Sequence, residues 1–242
     1  DATGNQVSSS ALAVTLDATN PTIAGSATTV TFTEDQGVEG SSNDVLLGLS
    51  ASDTNGVVSG SVSIASPTSG DRLVYTAQAG VTATLSNGDT TLTFSTTAGS
   101  QAALATLLSS VKYDNTSETP VAGARTVNFA VTDAAGNNNS TTVAVNVVAT
   151  NDNTAITAGT TAFSSVGHSV LSVTGVSLAD LDGTVNVTLT STNGQLSSTA
   201  GALVDADAST PGIQLVGTVS AVNTLLAGLQ FTPASDVDAN GS

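Results

Sequence analysis

The sequence predicts an all-β protein made of tandem β-sandwiches, each carrying one short helix. Apolar and polar residues alternate in many short runs, dipeptides ending in glycine separate these runs, and one helical pattern of apolar residues occurs in each half of the chain. Period-two alternation indicates strands with one buried face, and many short strands with frequent turns are typical of a sandwich.

The alternating runs give the predicted strands. In chain order they lie at Val30–Phe32, Leu92–Phe94, Val127–Val131, Val143–Val147 and Val185–Leu189. Val and Thr dominate these runs, and branching at Cβ favours a pleated backbone. Asn-Gly and Asp-Gly pairs tolerate positive φ and predict turns at 55–56, 87–88, 182–183 and 193–194.

Two segments follow a helical period instead. Apolar residues recur at i, i+3, i+4 and i+7 in two sets, which are Leu104, Leu107, Leu108 and Val111, and Val222, Leu225, Leu226 and Leu229. Each set predicts a short amphipathic helix laid over a sheet edge. An aromatic residue two positions later, Tyr113 or Phe231, begins the next predicted strand.

The composition excludes several functions. The 242 residues include three basic and nineteen acidic side chains, for a net charge of −16, and no Cys. So few cations cannot neutralise a nucleic-acid backbone or hold an anionic membrane surface, and no apolar run reaches the roughly 18–20 residues that span a bilayer. His168 is the only histidine, and we expect it in an exposed loop. We therefore expect neither an enzyme, nor a nucleic-acid partner, nor direct membrane insertion.

The chain also contains an internal repeat. Leu104–Tyr113 matches Val222–Phe231 at an offset of 118 residues, Ser52–Gly56 corresponds to Ala179–Gly183 at 127, and Asp1–Asn5 matches Asp133–Asn137 at 132. Three features in one order at similar offsets predict one domain present twice, with loops of different length. The predicted divisions are residues 1–19, 20–149 and 150–242.

Several phrases in order resemble a known class of repeats. They are VTFTEDQG (30–37), SASDTNG (50–56), GDRLVYT (70–76), the run from 107 to 137, and the linker ATNDN (149–153). Over the whole chain they resemble the cadherin-like and bacterial Ig-like repeats of large secreted surface proteins and adhesins of the RTX-adhesin type. The resemblance implies that 1–19 is the last strand of a preceding Ig-like domain or a donor strand. It also implies that 20–149 is a cadherin-like sandwich, and that 150–242 is a second one, incomplete at its C-terminus.

The resemblance further implies a rod stiffened by Ca²⁺ at its joints. Ca²⁺ takes six to eight oxygen ligands from carboxylates, carbonyls and Asn side chains. For the joint between the two copies, the expected ligands are Asn151, Asp152, Asn153, Asp133, Asp180 and Asp182. For the joint before the first copy, they are Asp1, Asp17, Asn20, Asp53 with Asn55, and Glu34.

Three functions remain open at this point. The first is a calcium-stiffened spacer of an extracellular or cell-surface protein, whose partners are neighbouring repeats. In the second, the strand Ser9–Leu16 of one subunit completes the last domain of the next, which builds a filament or surface layer. The third is an adhesin module that binds a surface glycan or a protein, for which the stretch Ser197–Pro211 with Asp205 and Asp207 is the best candidate loop.

Two arginines stand out because basic residues are so rare. We expect Arg72 and Arg125 each to form one surface salt bridge, worth less than about 1 kcal/mol. Glu118 and Asp114 are the nearest acidic partners expected for Arg125.

Overall fold

The computed structural model describes residues 16–24, 29–34, 43–96, 100–159, 169–180, 183–207 and 212–234. These residues form eighteen strands and two short helices, so the prediction of an all-β fold is confirmed at that level. The chain divides into two compact units, and we call the described residues up to Ala149 unit 1 and those from Thr150 onward unit 2. Asp1, Asp182, His168 and the segment 9–15 lie outside the described residues.

Unit 1 contains eleven strands and one helix. They are β1 Thr22–Ala24, β2 Val30–Thr33, β3 Val45–Leu46, β4 Ser50–Ser52, β5 Val57–Ala65, β6 Asp71–Val74, β7 Val81–Ser86, β8 Thr91–Thr96, α1 Gln101–Ser109, β9 Lys112–Asn115, β10 Gly123–Asp133 and β11 Asn138–Val148. A six-stranded sheet has the order β2-β11-β10-β5-β8-β7, a three-stranded sheet has the order β3-β9-β6, and β1 pairs with β4.

The hairpin of β10 and β11 is the longest element of unit 1. Its strands pair antiparallel with Val127 opposite Val143, and both follow the alternation that predicted them. Val127, Phe129 and Val131 are buried, and the residues between them face outward. β10 also pairs antiparallel with β5, and the register shifts between Thr132 and Asp133. A shift of this kind bends a strand and re-aims the side chain beside it.

The six-stranded and three-stranded sheets contribute to one core. The ring of Tyr113 on β9 meets the ring of Phe32 on β2 edge to face, with centroids 5.5 Å apart. α1 adds Leu104, Leu107 and Leu108, as the helical pattern predicted. Without Trp or Met, this core consists mostly of aliphatic side chains of modest size. Burial stabilises by roughly 25 cal/mol per Å² of apolar surface, so the stability of the core depends on many such side chains together.

A buried ion pair lies between these sheets, and it corrects the expectation for Arg125. Arg125 Nε donates to Asp71 Oδ2 at 2.7 Å, and the two side chains are only 6% and 0% exposed. The predicted surface bridge of Arg125 to Glu118 or Asp114 is therefore wrong. Asp114 instead accepts from Arg72, at 2.6 Å. The guanidinium of Arg125 also donates to Thr68 Oγ1 and to the carbonyl of Val121.

Asp71 accepts hydrogen bonds from four residues. Besides Arg125, its donors are the hydroxyl of Tyr113, Asn115 Nδ2 at 2.7 Å, and the backbone N–H and hydroxyl of Thr68. Burial raises the pKa of Asp71, but these donors together hold it below its ordinary value. Burial and the hydrogen bond to Asp71 raise the pKa of Tyr113. A fully satisfied network of this kind selects one arrangement of β6, β9 and β10.

Unit 2 contains seven strands and one helix in its described residues. They are β12 Ala155–Thr157, β13 Leu171–Ser172, β14 Ser177–Ala179, β15 Thr184–Leu189, β16 Gly194–Ser198, β17 Ile213–Thr218, α2 Val219–Ala227 and β18 Leu229–Pro233. β12 pairs with β14, β15 pairs with β17, and β18 lies between β13 and β16. α2 begins after Thr218, whose hydroxyl accepts from the N–H of Ala221, and it buries Val222 and Leu226 as predicted.

The buried ion pair generates a prediction for stability. Asp71→Asn leaves the guanidinium of Arg125 charged and buried without a carboxylate, which should lower the free energy of unfolding by about 3–5 kcal/mol. The matched control is Asp44→Asn, because Asp44 pairs with a partly exposed Lys112 and should cost less than about 1 kcal/mol. Urea denaturation at neutral pH measures both values, and equal losses would contradict the importance of the pair.

The same variant tests a pH dependence. The folded pKa of Asp71 is below its unfolded value, so its contribution is complete above about pH 4 and is lost as the pH falls through the lowered pKa. We therefore expect the stability difference between wild type and Asp71→Asn to shrink as the pH falls from about 4 to 2. A constant difference across that range would show that Asp71 keeps an ordinary pKa.

Candidate metal centre

Three carboxylates converge at one end of unit 1. One oxygen from each of Asp17, Asp53 and Asp133 lies within 4.8 Å of the others. Asp17 precedes β1, Asp53 follows β4, and Asp133 ends β10. The antiparallel pairing of β1 with β4 brings the first two together. The third, Asp133, follows the register shift at the end of β10.

Asp133 is held by its own turn. Its Oδ1 accepts the backbone N–H groups of Ala135 and Asn137, each at 2.8 Å, and its Oδ2 accepts Asn137 Nδ2 at 2.8 Å. Asp133 is 1% exposed. Asp and Asn favour such turns because their side chains hydrogen-bond to backbone groups a few residues later. The turn therefore fixes the position of this carboxylate.

Asp17 and Asp53 are fixed by similar local contacts. Asp17 Oδ1 accepts the hydroxyl and the backbone N–H of Thr19, at 2.6 and 3.0 Å. Asp53 Oδ1 accepts the backbone N–H of Asn55 at 2.8 Å, and Asn55 Nδ2 donates to Asp17 Oδ2 at 2.8 Å. Asn55 therefore connects two of the three acids.

The hydrogen bonds keep two of the acids ionised. The Thr19 hydroxyl, the Thr19 backbone N–H and the Asn55 amide lower the pKa of Asp17. Burial raises the pKa of Asp133, but the donors from Asn137 and Ala135 outweigh it, although the charge of Asp17 acts in the same direction as burial. Carboxylates with a lowered pKa are negative at neutral pH, so the cluster concentrates negative charge at one place.

A hard cation suits this arrangement. Ca²⁺ and Mg²⁺ prefer oxygen ligands, and Ca²⁺ tolerates irregular geometry with mono- or bidentate carboxylates. Each of the three acids offers an oxygen from a different part of the chain. Among the described residues, this is the one group of three acidic side chains that are so close to each other.

Two residues of the cluster were missed by the sequence reasoning. Asn137 donates to Asp133 and also to the carbonyl of Asp17, at 3.3 Å, and Thr19 donates to Asp17. The phrase DAAGN (133–137) contained the signal for Asn137, because an Asp and an Asn four residues apart with a Gly between them predict a tight turn.

The grouping of the acids differs from the expectation in two places. Asp133 was expected at the joint that follows Ala149, but it stands at the opposite end of β11 from Val148. At ~3.3 Å per residue, a strand of this length separates the two ends by about 30 Å. Glu34 was expected with Asp17 and Asp53, but its N–H donates to the carbonyl of Val148, at the far end of the same sheet. Strand direction, which the sequence does not show, causes both differences.

One of the other predicted ligands lies beside the cluster, and the rest that the structure describes lie in unit 2. Asn20 and Asp53 help to line an open cleft of about 480 Å³ in unit 1. In unit 2, Asp152 is buried, and Asp180 accepts the hydroxyl of Thr154 at 2.5 Å. Asn151 Nδ2 donates to the carbonyl of Asp152, and Asn153 is exposed.

The candidate recognition loop Ser197–Pro211 is described only up to Asp207. Asp205 Oδ1 accepts the backbone N–H groups of Asp207 and Gln214, at 3.1 and 3.0 Å. This carboxylate therefore orders its own loop.

Comparison with known proteins adds no family. No family model matches the chain, and no curated protein matches it. In the part of the chain that the structure describes, neither helix is long and apolar enough to cross a membrane.

The cluster generates a prediction for calcium-free protein. Asp53→Asn keeps an acceptor for the N–H of Asn55 but removes one of three mutually repelling charges. With EDTA present, we expect the variant to melt at the same temperature as wild type or up to about 3 °C higher. The control is Asp89→Asn in the exposed β7–β8 turn, which should leave the melting temperature unchanged. A clear decrease for Asp53→Asn in EDTA would contradict repulsion within the cluster.

Proposed function

We propose that this chain is a calcium-stiffened structural spacer from a secreted or cell-surface adhesin or filament protein, built from tandem cadherin-like or Ig-like sandwiches. The observation that carries the proposal is the convergence of Asp17, Asp53 and Asp133 within 4.8 Å. The all-β architecture is compatible with it. The resemblance of the phrases between residues 30 and 153 to adhesin repeats supplies the functional class.

The cluster has the chemistry of a calcium site. Three carboxylates provide up to six oxygens, and Ca²⁺ takes six to eight. Hydrogen bonds that lower the pKa of Asp17 and Asp133 keep these ligands deprotonated at neutral pH. The donors come from the neighbouring turns, so the carboxylates are oriented before any ion binds.

The position of the cluster suits a stiffening role. Asp17 belongs to the segment that leads into β1, and Asp53 and Asp133 follow strands of the folded unit. An ion shared by all three ties the entering segment to the ends of β4 and β10. The direction in which the chain enters unit 1 then depends on the ion, which is the property required of a joint in a spacer.

The net charge supports an extracellular environment for this chain. A chain with charge −16 repels itself, and bound divalent cations reduce that repulsion. Extracellular calcium modules bind with dissociation constants on the order of 10⁻⁴–10⁻³ M, so they are filled only where calcium is millimolar. A spacer of this kind therefore belongs outside the cell, with neighbouring repeats of the same protein as its first partners.

Calcium-dependent melting tests the proposal. At 10 mM Ca²⁺, a site with this affinity adds about 1.4–2.7 kcal/mol to the free energy of unfolding, which raises the melting temperature by roughly 3–10 °C over EDTA. Asp53→Asn should lose most of this increase, because it removes one ligand of the cluster. Asp89→Asn should keep it, because that residue lies in the exposed β7–β8 turn.

Two results would count against the proposal. Identical melting curves in EDTA and in calcium would remove the calcium site. An equal increase in wild type and Asp53→Asn would place calcium somewhere other than this cluster. Isothermal titration of the same three proteins with CaCl₂ separates these two outcomes.

A further inference from the structure

β5 and β15 occupy corresponding places in the two units. A glycine with positive φ precedes each strand, Gly56 at 89° and Gly183 at 86°. β5 pairs antiparallel with β8, and β15 pairs antiparallel with β17. β8 and β17 are each the last strand before the helix of their unit.

Each strand has two edges that can pair with a neighbour. We call the edge of β5 opposite β8, and the edge of β15 opposite β17, the second edge, and the two strands differ there. In unit 1 the second edge of β5 is filled by β10, from Ala65 opposite Thr126 to Val57 opposite Asp133. In unit 2, β15 forms a two-stranded sheet with β17, and no other described strand pairs with it.

The backbone direction shows which groups face that second edge. The carbonyl of Gly183 accepts from Val219 N, on the side of β17. In an antiparallel strand, the backbone N–H and C=O groups of successive residues point to opposite edges. The backbone groups of Val185 and Val187 therefore also face β17. Asn186 and Thr188 therefore direct their N–H and C=O groups away from β17, where β10 would lie in unit 1.

The apolar surface of unit 2 is less covered beside this edge. In unit 1, β10 places Val127, Phe129 and Val131 in the core, and Val62 of β5 is 0% exposed. Leu189 corresponds to Val62 at the offset of 127 residues set by the two glycines, and it is only half-buried, as is Val187. A strand added at β15 would cover both side chains with its own apolar residues.

Charge restricts what can occupy the edge. β15 and β17 contain no charged residue, although the chain carries −16 overall. The stretch 126–132 of β10 is also uncharged and alternates Val or Phe with Thr, Asn or Ala. An acidic strand would meet the repulsion of the whole chain, and an uncharged one would not.

We infer that the second edge of β15 binds an extended, uncharged segment of the β10 type, antiparallel and in the register that β10 has on β5. This strand-accepting edge goes beyond the proposed calcium spacer, because it joins polypeptide to unit 2 by backbone pairing. The donor expected from the sequence, Ser9–Leu16, resembles a different strand of unit 1. Its Ala13-Val14 matches Ala144-Val145 of β11, and β11 pairs with β10 and β2 rather than with β5.

A synthetic peptide of the uncharged residues 126–132, blocked at both ends, tests the inference on the full chain. We expect saturable binding by calorimetry and at least tenfold slower hydrogen exchange at the amides of Asn186 and Thr188. The amide of Val187 faces β17 and should change little. The control peptide carries Asn in place of Val127, Phe129 and Val131, and it should not bind.

Two variants at Thr188 test whether peptide binding depends on backbone hydrogen bonds. Thr188→Pro removes an N–H that faces the edge without touching the ladder to β17, so it should abolish peptide binding, and Thr188→Ala should keep it. Should Thr188→Pro fail to fold, a peptide methylated on the N–H of Asn128 and Ala130 replaces it. These two groups face β5 in unit 1, because Ile64 N donates to Thr90 O and the alternate residues of β5 face β10.

Three results would overturn the inference. The first is the absence of saturable binding. The second is equal binding by the methylated and unmethylated peptides. The third is slow exchange at Asn186 and Thr188 in the chain alone, because residues of the same chain would then already fill the edge.

Discussion

The pairing of β10 with β5 is the constraint on which unit 1 depends. β10 lies between β5 and β11, and β11 lies between β10 and β2. The hairpin of β10 and β11 therefore connects β2 to the rest of the six-stranded sheet. The same strand buries three apolar side chains, holds Arg125 against Asp71, and presents Asp133 at its far end. Core packing, the buried ion pair and the acidic cluster are thus three consequences of one set of backbone hydrogen bonds.

The acidic cluster and the buried ion pair differ in how their negative charges are balanced. Asp71 is paired with a guanidinium inside the protein, and this pairing with its other hydrogen bonds offsets the cost of burying its charge. Asp17, Asp53 and Asp133 face each other without a basic residue among them, and their turns keep them from separating. A protein with three basic residues cannot neutralise many acids internally, and cations from solution are the remaining source of positive charge.

The sequence predicted what depends on local period and turn chemistry. Alternation located Val127–Val131 and Val185–Leu189, and the helical period located both helices. It did not predict Arg125 with Asp71, because these residues are 54 positions apart and their contact depends on sheet order. Asp133 and Glu34 were assigned to the wrong ends of unit 1 for the same reason. Residue types suggest ligands, but only strand direction shows which ligands meet.

A crystal structure grown with millimolar CaCl₂ tests the central claim most directly, because anomalous scattering distinguishes calcium from water. The account predicts a calcium peak about 2.3–2.6 Å from carboxylate oxygens of Asp17, Asp53 and Asp133. A water molecule at hydrogen-bond distances in that place, or three carboxylates turned apart around solvent, would contradict it.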